Sequence, residues 1–381
     1  MKISNPAARI CGWRGLSRFL MEVNMEKMQT ICVLFGGVSP EHDVSLVSAE
    51  AVLRNMNKEN RKILPIGITK SGQWLLFGGD DFTEIAENKW EENPSNRVAF
   101  LSPVRGMGIC ILNADGSMDT IMPDLIFPVL HGENGEDGSI QGLFQIAGIP
   151  FVGCGVCAAA ASMDKSVTKL IAATTGVRQA NWLTLTRRSY RKDAAAMCEK
   201  IKKTLDYPVF IKPCSTGSSV GVSKVKNDEQ LLEALENAFK YDKKILAEEF
   251  INGREVEVAV LGNEDAVAAT AGEIDAGAEF YDYETKYVTS TSRPYIPARI
   301  SEKANAEVRK YAVKIFRALG CAGLSRVDFF VTRDTEEIIF NEINTLPGFT
   351  SISMYPKMWA ADGLPFNELI DRVINFALEE C

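Results

Sequence analysis

Two apolar runs near the end of the chain, joined by a charged link, constrain it more than any other feature. In Gly323 to Thr350, GLSRVDFFVTRDTEEIIFNEINTLPGFT, Val327, Phe329 and Val331 alternate with Arg326, Asp328 and Phe330. Successive side chains of a strand point to opposite faces, so Arg326 and Asp328 share one. Thr332 to Glu337 is a polar connection, and Glu342 and Asn344 stand two apart on the second run. A hairpin would gather an arginine, two carboxylates and an amide into one patch. Such oxygens suit magnesium, which keeps several waters and takes one or two carboxylates beside substrate phosphates. The Thr-Leu-Pro-Gly-Phe that follows forces a turn whose backbone N–H groups can face a ligand. The same letters also describe a surface hairpin with solvated charges, so the rest of the chain must separate the two.

At 381 residues the chain exceeds one ordinary core, and two or three domains are expected. Apolar content of 46% and charged content of 24% are those of a soluble globular protein. A net charge of −8 argues against nucleic acid as the main partner. No apolar run reaches the length that spans a bilayer, so no membrane association is expected. Nine cysteines without a repeating spacing fit a reducing cytosol rather than a disulfide framework, and the expected location is cytoplasmic. Cys154-Gly-Val-Cys157 has redox spacing but sits among alanines, which favours packing of small residues over redox or zinc. His42 and His131 are the only histidines, so a histidine-rich metal site is ruled out. Residues 1–29 are expected to be a disordered extension. Their first 24 residues hold basic residues and a weak apolar patch without a secretory core or cleavage site, and an organelle-targeting segment is the alternative.

Thr30 to Phe35 (TICVLF) reads as a buried strand, followed at once by Gly36-Gly37 and a helical pattern through Leu46, Val52 and Met56. Strand, glycines, helix opens a doubly wound α/β unit, although no G-x-G-x-x-G is present. Ile63 to Ile68 is a second strand, and residues 71–120 read as an insertion of short strands and loops around an acidic run at Trp90. Asp124 to Leu130 is another buried strand, with His131-Gly-Glu-Asn-Gly-Glu-Asp-Gly138 at its exit. Ligands gather at the carboxyl ends of such strands, which makes this loop and Gly36–Glu41 site candidates. A shift to small residues around Gly153–Ala161 marks a boundary, after which Asp164 is placed to cap a helix. Strands are expected at Tyr207–Lys212, Ile245–Phe250 and Glu255–Leu261, and helices from Asp228 and from about Ser301 to Gly320.

Between two of these strands lies Cys214-Ser-Thr-Gly-Ser-Ser-Val-Gly221. Read as G-x-S-x-G it would be a hydrolase elbow at Ser219, but that needs a helix directly afterwards and a later histidine. Val222 to Val225 reads as extended, and both histidines come earlier. A Walker loop fails as well, since G-x-x-x-x-G-K-[ST] is absent. Two readings stay open: an ordinary solvated turn, and a Gly/Ser flap closing over phosphates with backbone N–H and hydroxyl donors. Lys212 and Lys165 would then supply positive charge.

Seven stretches in order, FGGVSPEHDVSL, LHGENGEDGSIQG, SMDK, IKPCSTGSSVG, YDYETKY, GLSRVDFF and NEINTLPGFTS, resemble the D-alanine–D-alanine ligases of the ATP-grasp fold. The match runs from about Thr30 to Leu378. The resemblance implies an α/β protein with an N-terminal doubly wound parallel-sheet domain followed by an ATP-grasp module of two α+β subdomains. These would be a substrate-binding domain at 30–153, a central subdomain at 154–252 and a catalytic subdomain at 253–381. It implies a ligase that spends ATP to join two D-alanines through an acylphosphate, for peptidoglycan precursor synthesis, with magnesium or manganese, two ions per site, in a homodimer.

By motif position, the resemblance makes Asp328, Glu342 and Asn344 the metal ligands. Lys165 and Lys212 would hold nucleotide phosphates, with Ser219 of the flap, and Lys286 the transferring phosphate. Glu248 would contact adenine and Glu255 the ribose, helped by backbone at Phe250 and Ile251. Glu249 stands where many relatives carry a basic residue. Glu41 would receive the first ammonium, oriented through Ser218 and Tyr287, with His131 near the substrate carboxylates. Arg326 and the Gly348 N–H would stabilise the oxyanion, Ser353 would bind the second carboxylate, and Met354 would line its side-chain pocket. Tyr281 to Tyr287 would belong to a closing loop that excludes water. ILPIGITKSGQW and the insertion after it look like the D-alanine–D-serine branch, whereas Met354 and Tyr281-Asp-Tyr283 follow the D-alanine pattern. The alternatives are therefore a D-serine ligase, another ATP-grasp carboxylate–amine ligase, or a nucleotide-binding regulator without chemistry.

Overall fold

The computed structural model describes residues 28–275, 293–350 and 352–379. Its first layer is built from β1 (Gln29–Gly36), α1 (His42–Asn55), β2 (Arg61–Ile68), β3 (Trp74–Leu76), α2 (Thr83–Ala86), β4 (Arg97–Leu101), β5 (Ile109–Leu112), β6 (Met118–Ile121), β7 (Leu125–Leu130) and α3 (Ser139–Ala147). The seven strands form one sheet in the order β6-β5-β4-β3-β2-β1-β7. Only β2, β1 and β7 run parallel; the remaining pairs are antiparallel. The helix between β1 and β2 supplies the crossover a parallel pair needs, whereas the short turn after β2 can only make a hairpin. The insertion after Ile68 thus extends the sheet edge. Its acidic run hides an anchor: Trp90 is fully buried and meets the Phe35 ring edge-on at 5.1 Å. Such a pair adds about 0.5–1.5 kcal/mol beyond area burial. Gly67 leaves the room, because a Cβ there would overlap the Trp90 ring.

The chain continues through α4 (Val156–Met163) and α5 (Lys165–Ala173) into β8 (Trp182–Thr186), α6 (Arg187–Lys192), α7 (Ala194–Thr204), β9 (Val209–Pro213), β10 (Ser223–Val225), α8 (Asp228–Tyr241) and β11 (Lys244–Glu249). These four strands pair antiparallel in the order β10-β9-β11-β8, with α7 and α8 covering one face through Ile201, Leu231 and Leu235. Asp164 caps α5 by accepting from the Ser166 and Val167 N–H groups, as its position suggests.

The last layer comprises β12 (Gly253–Leu261), β13 (Val267–Ala268), β14 (Gly272–Asp275), β15 (Arg293–Tyr295), α9 (Glu302–Ala318), β16 (Leu324–Thr332), β17 (Ile338–Asn344), α10 (Met354–Ala361) and α11 (Phe366–Glu379). Strands β15-β14-β12-β16-β17 lie side by side, and β12 pairs with β16 along its whole length. Val256, Val258, Val327 and Phe329 turn toward α9 and share a core with Val308, Ala312 and Ile315. The opposite face is thereby left to Glu257, Arg326 and Asp328. Helices α10 and α11 return to the first sheet: Tyr355, Trp359, Ile370 and Val373 share a core with Ile31, Phe35 and Trp90. Among the described residues no helix is long and apolar enough to cross a membrane.

Candidate active site

The two strands read from Gly323 to Thr350 do form a hairpin, β16 and β17, but their alignment depends on a bulge. Phe329 faces Phe340, while the next pair inward is Asp328 with Glu342, so Asn341 is an extra residue. Were Asn341 counted in an unbroken period of two, Glu342 and Asn344 would fall on the same core-facing side as Phe340. The bulge re-aims both toward Asp328 and Arg326, a common use of bulges beside functional sites. Arg326 then pairs with Asn344 across the ladder. Its guanidinium donates to Asp328 Oδ1 at 2.8 Å and Oδ2 at 2.7 Å, and Glu257 lies at 3.4 Å. Asn344 Nδ2 donates to the same Asp328 Oδ2 at 2.9 Å. Burial works against the Arg326 charge, but Asp328 and Glu257 outweigh it and hold the group firmly protonated.

This hairpin forms one wall of a cleft of about 1260 Å³ to which all three sheets contribute. Glu41, His131, Lys165, Lys212, Ser218, Ser219, Glu248, Phe250, Ile251, Glu255, Arg326, Asp328, Glu342, Asn344, Gly348, Ser353 and Met354 all line it. Tyr281, Tyr283, Lys286 and Tyr287 lie outside the described residues, as do residues 1–27 of the 1–29 extension, whereas Gln29 opens β1.

At one end, Glu41 at the start of α1 accepts a hydrogen bond from the Ser218 hydroxyl. Its carboxylate sits between two glycines. A Cβ on Gly217 would come within 2.9 Å of Glu41 Oε2, and one on Gly132 would overlap that atom. Ser218 and Ser219 have φ of +48° and +59°, consecutive left-handed residues that are uncommon outside glycine. The strand Ser223–Val225 after them excludes the hydrolase elbow, which needs a helix there.

His131 is buried and both ring nitrogens are engaged: Nδ1 with the Leu346 carbonyl at 3.1 Å, Nε2 with Ser48 Oγ at 3.2 Å. A carbonyl only accepts, so Nδ1 carries the proton. Burial lowers the histidine's proton affinity, opposed by Glu41, which leaves Nε2 to accept from the Ser48 hydroxyl. Close by, Glu136 accepts from the Gly132 N–H at 2.8 Å and the Leu346 N–H at 3.1 Å. Its side chain is half-buried at the cleft wall; desolvation, reinforced by Glu41, raises its carboxyl, opposed by the Gly132 and Leu346 N–H groups and by Arg326.

At the other end, Glu248 is buried between two ammonium groups, Lys169 and Lys212, and pairs with both. Burial opposes its charge, but the two lysines win and hold it below the ordinary carboxylate range. Lys212 is raised despite burial, by Glu248 in particular, whereas burial presses Lys169 down. Lys165 Nζ donates to the Thr216 carbonyl at 2.8 Å and lies 3.6 Å from Glu342 Oε2. It thus bridges the flap and the hairpin. Lys224 stands over the Phe250 ring at 4.1 Å, beside the same wall. Sequence reasoning missed Lys169 and Glu136. The first follows Lys165 by one helical turn, a spacing that signals a shared face. The second sits in the glycine loop already singled out, where nothing distinguishes it from its acidic neighbours.

Beyond the hairpin, Ser353 caps its own turn. Its hydroxyl lies 2.8 Å from Thr350 Oγ1 and accepts from the Thr350 N–H at 3.2 Å. A Cβ on Gly348 would sit 3.0 Å from Ser353 Oγ, so the glycine permits a close approach that a side chain would crowd. Met354 packs against Gly272 on β14.

No group of three or more His, Cys, Asp or Glu side chains that could cage a metal occurs among the described residues. The hairpin offers instead two carboxylates and an amide on one face, hard oxygen donors with room left for phosphates and water. That donor set fits magnesium or manganese.

Two α+β layers closing a lysine-lined, glycine-flapped cleft over such a hairpin define the ATP-grasp architecture. Residues 30–154 match the family model described as D-ala D-ala ligase N-terminus, and residues 171–375 match D-ala D-ala ligase C-terminus. The D-alanine–D-alanine ligase of Acetivibrio thermocellus is 47% identical over 93% of this chain and 97% of its own length. That of Ruminiclostridium cellulolyticum is 48% identical over 92% and 95%. Among solved structures, VanG D-Ala:D-Ser ligase from Enterococcus faecalis superposes with a TM-score of 0.84 at 41% identity, covering 92% of this chain and all (100%) of that one. The D-alanine–D-alanine ligase from Coxiella burnetii gives 0.80 at 31% identity, with 93% and 95% covered. The chain belongs to the D-alanine–D-alanine ligase family.

Proposed function

We propose that this protein joins two D-alanines at the expense of ATP, supplying D-alanyl-D-alanine for peptidoglycan precursors. The supporting observation is the grouping of Glu41, Lys165, Lys212, Arg326 and the Asp328/Glu342/Asn344 hairpin in a single cleft. Two anions, a triphosphate and a carboxylate, must meet there, and the cations lining it reduce their repulsion. Lys165 and Lys212 hold the nucleotide phosphates under the flap that carries Ser219. Glu248 and Glu255 take the adenine and ribose ends, with backbone at Phe250 and Ile251. Lys286 attends the transferring phosphate. Asp328, Glu342 and Asn344 hold divalent ions, two per site, which when bound neutralise phosphate charge.

Glu41 receives the ammonium of the first D-alanine and is kept in place by Ser218, with Tyr287 completing the set. The first carboxylate attacks the γ-phosphate, ADP leaves, and an acylphosphate forms. The amine of the second D-alanine attacks its carbonyl, and phosphate departs. Arg326 and the Gly348 N–H stabilise the oxyanion. His131 acts beside the substrate carboxylates by holding Leu346. Ser353 binds the second carboxylate, and Met354 gives its side chain an apolar wall. We place the enzyme in the cytoplasm as a homodimer organised as an N-terminal domain (30–153), a central subdomain (154–252) and a catalytic subdomain (253–381).

A second reading, D-serine as the second substrate, is favoured by the similarity to the Enterococcus faecalis ligase. An apolar pocket does not strongly reject a substrate that only adds a hydroxyl. Mass measurement of the products from D-alanine mixed with D-serine and D-lactate separates the readings. The proposal expects D-alanyl-D-alanine to dominate; a mixed dipeptide or depsipeptide as the main product overturns that choice.

A further inference from the structure

One peptide of the catalytic layer is gripped on both sides by a single loop of the first sheet. The Leu346 N–H donates to Glu136 Oε1 at 3.1 Å, and the Leu346 carbonyl accepts from His131 Nδ1 at 3.1 Å. Glu136 uses its second oxygen on the Gly132 N–H at 2.8 Å, and Ser48 steadies the far side of His131 at 3.2 Å. The grip joins residues 210 positions apart in the chain, just where β17 ends and the turn toward Gly348 begins. The same loop contributes Gly132, against which the Glu41 carboxylate is packed. One carboxylate therefore ties together the wall that carries Glu41 and the turn that carries Gly348.

We infer that Glu136 is a positioning residue for the ligation step: it fixes the Leu346–Gly348 turn relative to the Glu41 pocket. This rests on the reading of Gly348 as an oxyanion donor. Three features make the carboxylate hard to replace. Each oxygen has its own N–H donor, so an amide, whose nitrogen cannot accept, strands one of them. A shorter side chain cannot span both donors. Glu41 stands close enough to raise the Glu136 carboxyl, so the two acidic groups sense one another across the pocket. Among the described residues, the nucleotide end of the cleft, with Lys165, Lys212 and Glu248, makes its contacts elsewhere, to Thr216, Glu342 and Lys169.

The test is steady-state kinetics of Glu136→Gln and Glu136→Asp with product mass and thermal melting followed in parallel. Both variants are expected to fold and to keep the KM for ATP. Their kcat should fall on the order of 10²-fold, the loss expected from a small misplacement of reacting groups. Wild-type kcat in a folded Gln variant overturns the inference. A joint collapse of kcat, ATP KM and melting in both variants also overturns it, since that marks a role in the fold alone. A wild-type enzyme that makes no dipeptide defeats the ligase reading itself, an outcome distinct from either.

Discussion

Arg326 and Asp328, two residues apart on one strand, are joined through two guanidinium nitrogens at 2.8 and 2.7 Å. A fork held this way cannot swing, so the arginine presents a fixed face to the cleft. That rigidity suits the oxyanion role proposed for it.

Arg326→Lys keeps the charge and loses the fork. Its kcat should fall by about 10²–10³, the cost of removing an oxyanion donor, while the KM for ATP stays near wild type. Steady-state kinetics with ATP varied at saturating D-alanine checks both halves. Loss of ATP affinity alone would reassign Arg326 to the nucleotide.

The bulge at Asn341 gives a second prediction. Deleting this residue restores a strict ladder in which Phe340 still faces Phe329 and Glu342 still faces Asp328. The faces are kept, and what is lost is the local bend and twist that a bulge adds to its strand. The deletion should lower kcat on the order of 10²-fold by shifting Glu342 and Asn344 relative to the cleft, whereas Asn341→Ala, which keeps the bulge, should leave kcat near wild type; steady-state kinetics of both variants checks this.

This bulge also shows how far the sequence alone could be read. Grouping Arg326, Asp328, Glu342 and Asn344 on one face was right, but alternation alone does not produce it. Counted from Phe340, a period of two sends Glu342 inward, and only ladder pairing reveals the extra residue. Asp164 as a cap and the strand after the Gly/Ser loop were legible because each depends on neighbours in sequence. Lys169, Glu136 and the return of α11 to the first sheet were not, because their partners lie far along the chain. Trp90 was hidden by its acidic neighbours, which are solvated while the indole is not.

Gly132 has φ of +70° and lies against Glu41. Alanine there meets both backbone strain, of order 1–3 kcal/mol, and the carboxylate itself. Gly132→Ala should raise the KM for D-alanine more than that for ATP, with a modest drop in melting temperature. Equal effects on both KM values would separate Gly132 from the amino-acid end.

The buried Lys169–Glu248–Lys212 group predicts a pH effect whose sign is set by Glu248. Its folded-state affinity for protons is held below the ordinary value of 4.5. The stability it contributes is therefore complete above that value and is lost as pH falls through the lower, folded-state value. Glu248→Gln removes this acid limb from a plot of melting temperature against pH. At neutral pH it leaves the buried Lys169 and the half-buried Lys212 without this anion, a loss of about 3–5 kcal/mol if it resembles other broken buried pairs.

Phosphate release from ATP and magnesium, measured with D-alanine, with L-alanine and with no amino acid, tests the ligase reading most directly. Release is expected only with D-alanine, matched mole for mole by dipeptide. Comparable turnover with L-alanine, or with nothing added, would contradict it.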